Sequence, residues 1–468
     1  MRFMVGYFFI STFNYKRNTF YFCVRQELTV MSRIRKILLA TLLVSVVSYN
    51  PSAVEKTNDV SDKLIPNNIR LTNEDSEGHE FAPAEKTIRS FMHKWSIAGA
   101  SVAIAIDGKL AYAKGFGYSD TSLKEIVQPY YKFRIASISK LITAVAIMKL
   151  VEEGRLSLSD RVFGPDAILN DPFFSNPKDK RVYSITVAHL LSHEGGWSQR
   201  WGDHMFIPLT IADKMGIKPP PDTKTIVRYA LDKRLHFTPG TGRAYSNLGY
   251  SILGLVIEKV TGMSYEEYCK KHVLEPLGIY DMVLAHNLQT QKALFEVTYY
   301  EPSDVVPKPS IYGTNELVSP IYGGNDIEAI GGAGAWLATA PDLIRLILAI
   351  DGFETPPDFL ASNSIDYMTD NDNGFAPVGW KTTVYNGTWW RTGSFPGSAG
   401  MLKRQPDGIA WVVLLNSSAW NGPEIYSYIN TMMFRVLTQV RRWPKEDLLT
   451  RSLPCPLSVG NTDSLSGS

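Results

Sequence analysis

A serine followed three residues later by a lysine, Ser137-Ile-Ser-Lys140, is the first group in this 468-residue chain able to do covalent chemistry. It opens an almost wholly apolar stretch, Ile138 to Glu153, that reads as a helix closed by Gly154 and buried on all sides. Residues three apart on a helix share one face, a turn from each other. A serine hydroxyl is a poor nucleophile until a neighbour takes its proton. A lysine in a desolvated pocket loses proton affinity and can be that base. The helix start would add free backbone N–H groups and positive potential where an oxyanion forms. Spacing alone discriminates poorly, because Ser175-Asn-Pro-Lys178 repeats it with a proline that forbids a mid-helix setting. Ser137 also reads as a helix cap and Lys140 as a snorkelling lysine, although so apolar a helix suits the second reading badly.

Two further groups could complete such a site. In Tyr245-Ser-Asn247 a phenol could pass a proton to a leaving group, and the amide two residues on could hold a substrate carbonyl. Tyr428-Ile-Asn430 repeats the pattern in an expected surface helix, and a tyrosine packed at a helix start is the plainer alternative. In Arg391-Thr392-Gly393-Ser394, on an expected strand, a backbone N–H could be a second oxyanion donor. The cation there could orient a carboxylate or acidify the nucleophile. An ordinary strand with a bulge at Gly393 is the alternative.

The elements that must position these groups have strands at both ends and helices between. Residues 83–94 have helical spacing. Two strands, 100–106 and 109–115, flank the tight-turn pair Asp107-Gly108. Gly249 to Thr261 is a helix ended by Gly262. Ser264-Tyr-Glu-Glu267 opens another that runs to about Leu274, and Thr339 starts one that ends near Gly352. The period then changes to two, with strands at 379–385, 388–392, 398–404 and 409–415, before a last helix over 423–441. The expected fold is mixed α/β (α+β). One antiparallel sheet from about 97–117 and 378–416 is flanked by helices, with an inserted helical region over about 138–350.

Composition narrows the setting. The net charge of +2 gives no field to draw in nucleic acid, and three cysteines suit neither a disulfide framework nor a zinc site. Neither H-E-x-x-H nor a phosphate loop occurs, so no cofactor and no metal are expected. Met31-Ser-Arg-Ile-Arg-Lys36 followed by the apolar run Ile37 to Ser48 reads as a secretory signal starting at Met31, too short to span a bilayer comfortably. A mitochondrial transit segment is the competing reading. The domains then run as an N-terminal extension and signal (1–48), a linker (49–82), one catalytic unit (83–445) and a loose tail (446–468). Neither linker nor tail is expected to join the core. The sequons Asn386-Gly-Thr388 and Asn416-Ser-Ser418 are compatible with export.

Taken in order, the three motifs resemble those of the serine β-lactamase-related family, which includes class C β-lactamases, penicillin-binding DD-peptidases, D-aminopeptidases, esterases and the animal β-lactamase-like protein. The resemblance covers roughly 85–440. Phe133-Arg-Ile-Ala-Ser-Ile-Ser-Lys140 carries it most closely, supported by Ile185-Thr-Val-Ala-His-Leu-Leu-Ser-His193, Pro239-Gly240 and His272-Val-Leu-Glu-Pro-Leu-Gly278. It implies a β-lactamase/transpeptidase-like fold and an acyl-enzyme on Ser137, with Lys140 and Tyr245 sharing proton traffic. Asn247, Arg391, Thr392, Gly393 and Ser394 would bind substrate, and the N–H groups of Ser137 and Ser394 would form the oxyanion hole. The expected activity is that of a secreted serine hydrolase acting on a small-molecule or peptide substrate, a peptide, amide or ester, with no membrane span once the signal is removed. A low-activity scaffold or polymer-forming protein, and a carbohydrate- or peptide-binding module, are the alternatives. Arg391 departs from the Lys or His often found in the family, which puts β-lactam hydrolysis in doubt. His193-Glu-Gly-Gly196 and Gly331-Gly-Ala-Gly-Ala-Trp336 either line the pocket or form tight turns. Trp336, Trp389 and Trp390 either wall the site or belong to the core.

Overall fold

The structure, a computed structural model, describes residues 70–370, 377–384, 386–418 and 422–451. The leader at 31–48 and the end of the tail lie outside them.

Strands β1 (Gly99–Ile106) and β2 (Lys109–Asp120) form the expected hairpin, with Ile106 opposite Lys109. Both central turn residues have positive φ, Asp107 at 48° and Gly108 at 75°, the geometry that lets a two-residue turn follow the twist of its strands. A short β3 (Glu125–Ile126) pairs with β2. The C-terminal part supplies β4 (Thr382–Val384), β5 (Thr388–Phe395), β6 (Ser398–Arg404) and β7 (Ile409–Leu415). Together they make one seven-stranded antiparallel sheet, ordered β3-β2-β1-β7-β6-β5-β4. The first and last of the described strands meet at its centre, where β1 runs antiparallel to β7 and Ile104 faces Trp411.

Alternation along the strands divides two cores. Val102, Ile104, Trp411 and Val413 pack toward helices α1 (Ala82–Trp95) and α5 (Ile425–Gln439), with Ile88, Trp95, Ile429 and Met433. Ala103, Ala105, Val412 and Leu414 point the other way into the larger core. That core holds α2 (Ser139–Glu152), α3 (Asn247–Thr261) and α4 (Ala340–Leu348). Because both faces are covered, β1 is buried along nearly its whole length. Helix α2 is buried on every side from Ser139 to Met148, as its uniform apolarity predicts, and reaches the surface only in its last turn.

Several details differ from the sequence reading. Leu71 and Phe81, from the stretch read as a linker, are buried in the larger and smaller core respectively. Asn73 Oδ1 accepts the Gly115 N–H and Ser76 Oγ the Ala113 N–H. Leu448 and Leu449 join the larger core, and Asp447 Oδ1 accepts the Leu110 N–H. Both segments are polar overall, so composition hides the few side chains that anchor them. The helix capped by Ser264 is α-helical only through Cys269. It widens into a π turn over Lys270–Leu274 ahead of Pro276, which cannot donate to the α ladder. Of the two sequons, Asn386 is exposed in a hairpin turn. Asn416 is buried, and its amide serves the Gly99 N–H and the Tyr118 and Thr298 carbonyls.

Two features of the fold prepare a site. Pairing between β4 and β5 ends at Trp390 opposite Thr382, so β4 does not cover the half of β5 that carries Arg391 to Ser394. A small three-stranded sheet pairs Phe133–Arg134 with Trp336–Ala338, and Ile135 donates to the Trp336 carbonyl at 3.1 Å. That ties the segment entering Ser137 to the glycine-rich loop before Trp336.

Candidate active site

Ser137 lies in a single 3-10 turn, Ala136–Ile138, that leads into α2. Ala136, just before it, has φ of +47°, a left-handed conformation that costs a non-glycine residue energy and is held only where its surroundings over-determine it. Those surroundings include Gly393 of β5. A side chain at Gly393 would run into the Ile135 carbonyl and come within 3.1 Å of Ser137 N, so only glycine lets the strand approach this closely.

The three motifs converge. Tyr245 Oη and Ser137 Oγ lie 2.6 Å apart, and Lys140 Nζ is 3.3 Å from Ser137 Oγ. Lys140 is fully buried and also donates to Asn247 Oδ1 at 2.8 Å and to the Ala333 carbonyl at 2.5 Å. Its Nζ sits 4.9 Å from the Tyr245 ring centroid. Asn247 is the first residue of α3, whose start is capped by Ser246 Oγ through the Gly249 N–H. Each predicted site residue is therefore placed by a helix start or by one strand.

Electrostatics follow from this packing. Burial lowers the Lys140 pKa to about 8; the Arg391 charge assists and Tyr245 and Asp203 oppose. Burial raises the Tyr245 phenol, but the Lys140 and Arg391 charges and the hydrogen bonds outweigh it and bring it down to about 8. Burial thus lowers the proton affinity of the lysine, and the neighbouring cations lower that of the tyrosine, beside one serine oxygen, which suits both groups to proton transfer. Tyr245 remains 38 % exposed, which leaves it reachable from solvent.

Arg391 is where the sequence reading changes most. Its side chain is buried, with Nε donating to the Ser137 carbonyl at 2.8 Å, one terminal nitrogen to the Trp380 carbonyl at 3.2 Å and the other to Tyr245 Oη at 3.1 Å. The fork expected to meet a carboxylate is committed to internal acceptors. Its charge acts on the phenol oxygen instead. Thr392 is buried and its Oγ1 accepts from Lys381 Nζ at 3.3 Å, while Ser394 is exposed at the open side of β5.

Both glycine-rich loops contribute. Ala333 supplies the carbonyl held by Lys140, and Gly332 the carbonyl that accepts from Thr143 Oγ1 at 2.6 Å. His193 has φ of +62°, and its ring packs tilted against that of Tyr245, with centroids 4.7 Å apart. Burial, reinforced by the Arg391 and Lys140 charges, holds its pKa well below the usual value, so it is a neutral wall. Its Nδ1 accepts the Ser246 N–H at 3.2 Å. The tryptophans resolve toward the core: Trp336 is fully buried and bonds Tyr265, Trp389 packs on the larger core and Trp390 on the smaller.

Three participants escaped sequence reasoning. Asp203 Oδ2 accepts from Asn247 Nδ2 at 2.7 Å and so fixes which end of that amide faces Lys140. Lys381 is exposed, ten residues before the third motif. Tyr426 donates to the Gly393 carbonyl at 2.7 Å. Asp203 also caps a 3-10 turn through the Met205 N–H, and an aspartate before His-Met-Phe signals only that.

Comparison with known proteins fits this geometry. The family model described as Beta-lactamase matches residues 84–431. Protein flp of Staphylococcus aureus (strain MW2) is 33% identical over 251 residues, which are 53% of this chain and 44% of that protein, so the chain spans less than half of this relative. The octameric penicillin-binding protein homologue from Pyrococcus abyssi superimposes with a TM-score of 0.56 at 27% identity, over 77% of this chain and 78% of its own. The D-amino acid amidase from Ochrobactrum anthropi SV3, complexed with L-phenylalanine amide, shares the fold at a TM-score of 0.57 and 20% identity, over 76% of this chain and 98% of the amidase. With most of its described length matched and three motifs meeting at one serine, the chain belongs to the Beta-lactamase family.

Proposed function

We propose that the protein is a serine hydrolase that forms an acyl-enzyme on Ser137 and acts on a peptide, amide or ester. The observation that carries this reading is the placement of Ser137 Oγ between Tyr245 Oη at 2.6 Å and a fully buried Lys140 Nζ at 3.3 Å.

The Ser137 proton passes to the Lys140–Tyr245 pair as Oγ attacks the carbonyl carbon. Both groups are lowered in proton affinity and both lie within reach of Oγ, and we assign the base to the pair. Arg391 holds the Tyr245 oxygen and favours its anionic form. The N–H groups of Ser137 and Ser394 stabilise the oxyanion, a contribution of roughly 10²–10³ in rate per donor. Tyr245 returns the proton to the leaving amine or alcohol, and water then releases the acid. Asn247, held by Lys140 and Asp203, orients the substrate. The Arg391 commitment supports a peptide, amide or ester in preference to a β-lactam. The basic and apolar leader supports export, which N-terminal sequencing checks: a mature first residue near 49–55 is expected, and an intact Met1 overturns it.

A fluorophosphonate probe tests the chemistry. Covalent labelling of the wild type and none of Ser137→Ala is the expected result. A wild type that resists every acylating probe returns the protein to the scaffold or binding readings.

A further inference from the structure

Helix α5 begins beside the third motif, and Tyr426 lies in its first turn. The Tyr426 hydroxyl donates to the Gly393 carbonyl at 2.7 Å, and the Ser394 side chain interacts with the Tyr426 oxygen. The ring is anchored against the smaller core, with Lys381 Nζ 5.7 Å from its centroid.

The Gly393 carbonyl and the Ser394 N–H belong to one peptide unit. A trans peptide is planar, and its N–H points opposite to its C=O. A bond that holds the carbonyl therefore also aims the amide. Glycine is required at 393 by the close approach to Ile135 and Ser137, yet glycine is the residue about which a peptide turns most freely. Pairing with β4 has already ended at Trp390, so within the sheet this part of β5 is held from one side only, by β6, with Gly393 opposite Gly400 and Ser394 opposite Ala399. Tyr426 reaches this point from an element unconnected to any of the three motifs.

We propose that Tyr426 is a positioning residue that fixes the Gly393–Ser394 peptide and so aims the Ser394 N–H as an oxyanion donor, an inference that rests on the acyl-enzyme reading. Tyr426→Phe keeps the ring and removes only the hydroxyl. Its expected effect on hydrolysis of an activated ester is a fall in kcat of about 10-fold, a fraction of the roughly 10²–10³ lost with a whole oxyanion donor. KM stays within about 2-fold and the pH midpoint does not move, because the Lys140–Tyr245 pair is untouched. Tyr428→Phe, on the exposed side of the same helix, changes none of these. Crystal structures of wild type and Tyr426→Phe give a readout independent of turnover. The Gly393–Ser394 peptide is expected to rotate or to occupy two orientations in the variant. An unchanged orientation overturns the proposal, even for a wild type that hydrolyses nothing. So does an unchanged kcat, or a loss confined to KM or to thermal stability. Failure of the acyl-enzyme reading is separately visible as a wild type that no probe labels.

Discussion

The chain contains the same four-residue spacing twice, and the two copies have nothing else in common. Ser175 is exposed, closes a 3-10 turn and spends its hydroxyl on the Pro172 carbonyl at 2.7 Å; Lys178 is also exposed. Ser137 faces a phenol, and Lys140 is sealed in the core with Asn247 and Ala333 as acceptors. The Tyr-x-Asn pattern divides the same way. Tyr428 lies against Trp95 at the surface and Asn430 accepts from Lys403, whereas Tyr245 and Asn247 serve the centre. A spacing becomes chemistry only where burial changes what the groups prefer to be. Burial lowers the proton affinity of Lys140, bringing its pKa down to about 8.

Substitutions that treat the copies alike should expose this difference. The largest effect is expected at the serines. Ser137→Ala should lower turnover by roughly 10⁴–10⁶-fold, and Ser175→Ala should leave it unchanged, measured as probe labelling and ester hydrolysis. Equal loss in both would break the comparison.

The lysines come next. Lys140→Met should slow acylation by roughly 10²–10⁴-fold. It leaves Asn247 Oδ1 and the Ala333 carbonyl without that donor, a cost of roughly 1–3 kcal/mol each, offset by no longer burying a charge. Calorimetry should therefore find the variant folded. Lys178→Met should change neither rate nor melting temperature.

The proton traffic gives a third test. With both groups brought to about 8, acylation should rise with pH as the pair loses its proton and level off above that value. Arg391 lowers both affinities, so Arg391→Gln should move the midpoint to higher pH. Below the midpoint the reaction should slow by about 10-fold for each pH unit that the midpoint rises. A midpoint that stays in place would show that the guanidinium holds geometry alone.

The smallest effect is reserved for the half-buried Asn430. Asn430→Ala removes the acceptor of Lys403 and should cost about 1 kcal/mol of stability with normal turnover. Asn247→Ala, which strips partners from both Lys140 and Asp203, should impair turnover clearly in the same assay.

What the sequence disclosed, and what it withheld, follows one division. Strands β6 and β7 and the β1–β2 hairpin were legible because alternation and turn residues are local. So was α2, because a helix apolar all round has nowhere to go but the interior. The motif residues were legible as a set in chain order. Their partners were not. The Ala333 carbonyl, the Asp203 carboxylate and the Tyr426 hydroxyl act on the site through bonds that span 193, 44 and 33 residues, and two of those bonds use a backbone oxygen that every residue type offers. For Arg391 the sequence left two roles open, a carboxylate fork or an electrostatic effect on the site, and it could not choose between them for the same reason. Its type announces a fork for carboxylates, and only the tertiary structure supplies the internal acceptors that occupy it.

The pairing of β1 with β7 also sets the order of events during synthesis. β1 leaves the ribosome early, but the strand that flanks it on the inner side of the sheet emerges about three hundred residues later. Until then β1 has β2 along one edge and no neighbour along the other, and β5, which presses on Ser137, has no sheet to belong to. So long a contact range makes closure of the sheet a late and slow step, with strand edges exposed meanwhile. The nucleophile turn is therefore finished only when nearly the whole chain has been made. A nascent chain carries the Ser137 and Lys140 side chains without the wall that holds them until β5, β6 and β7 arrive.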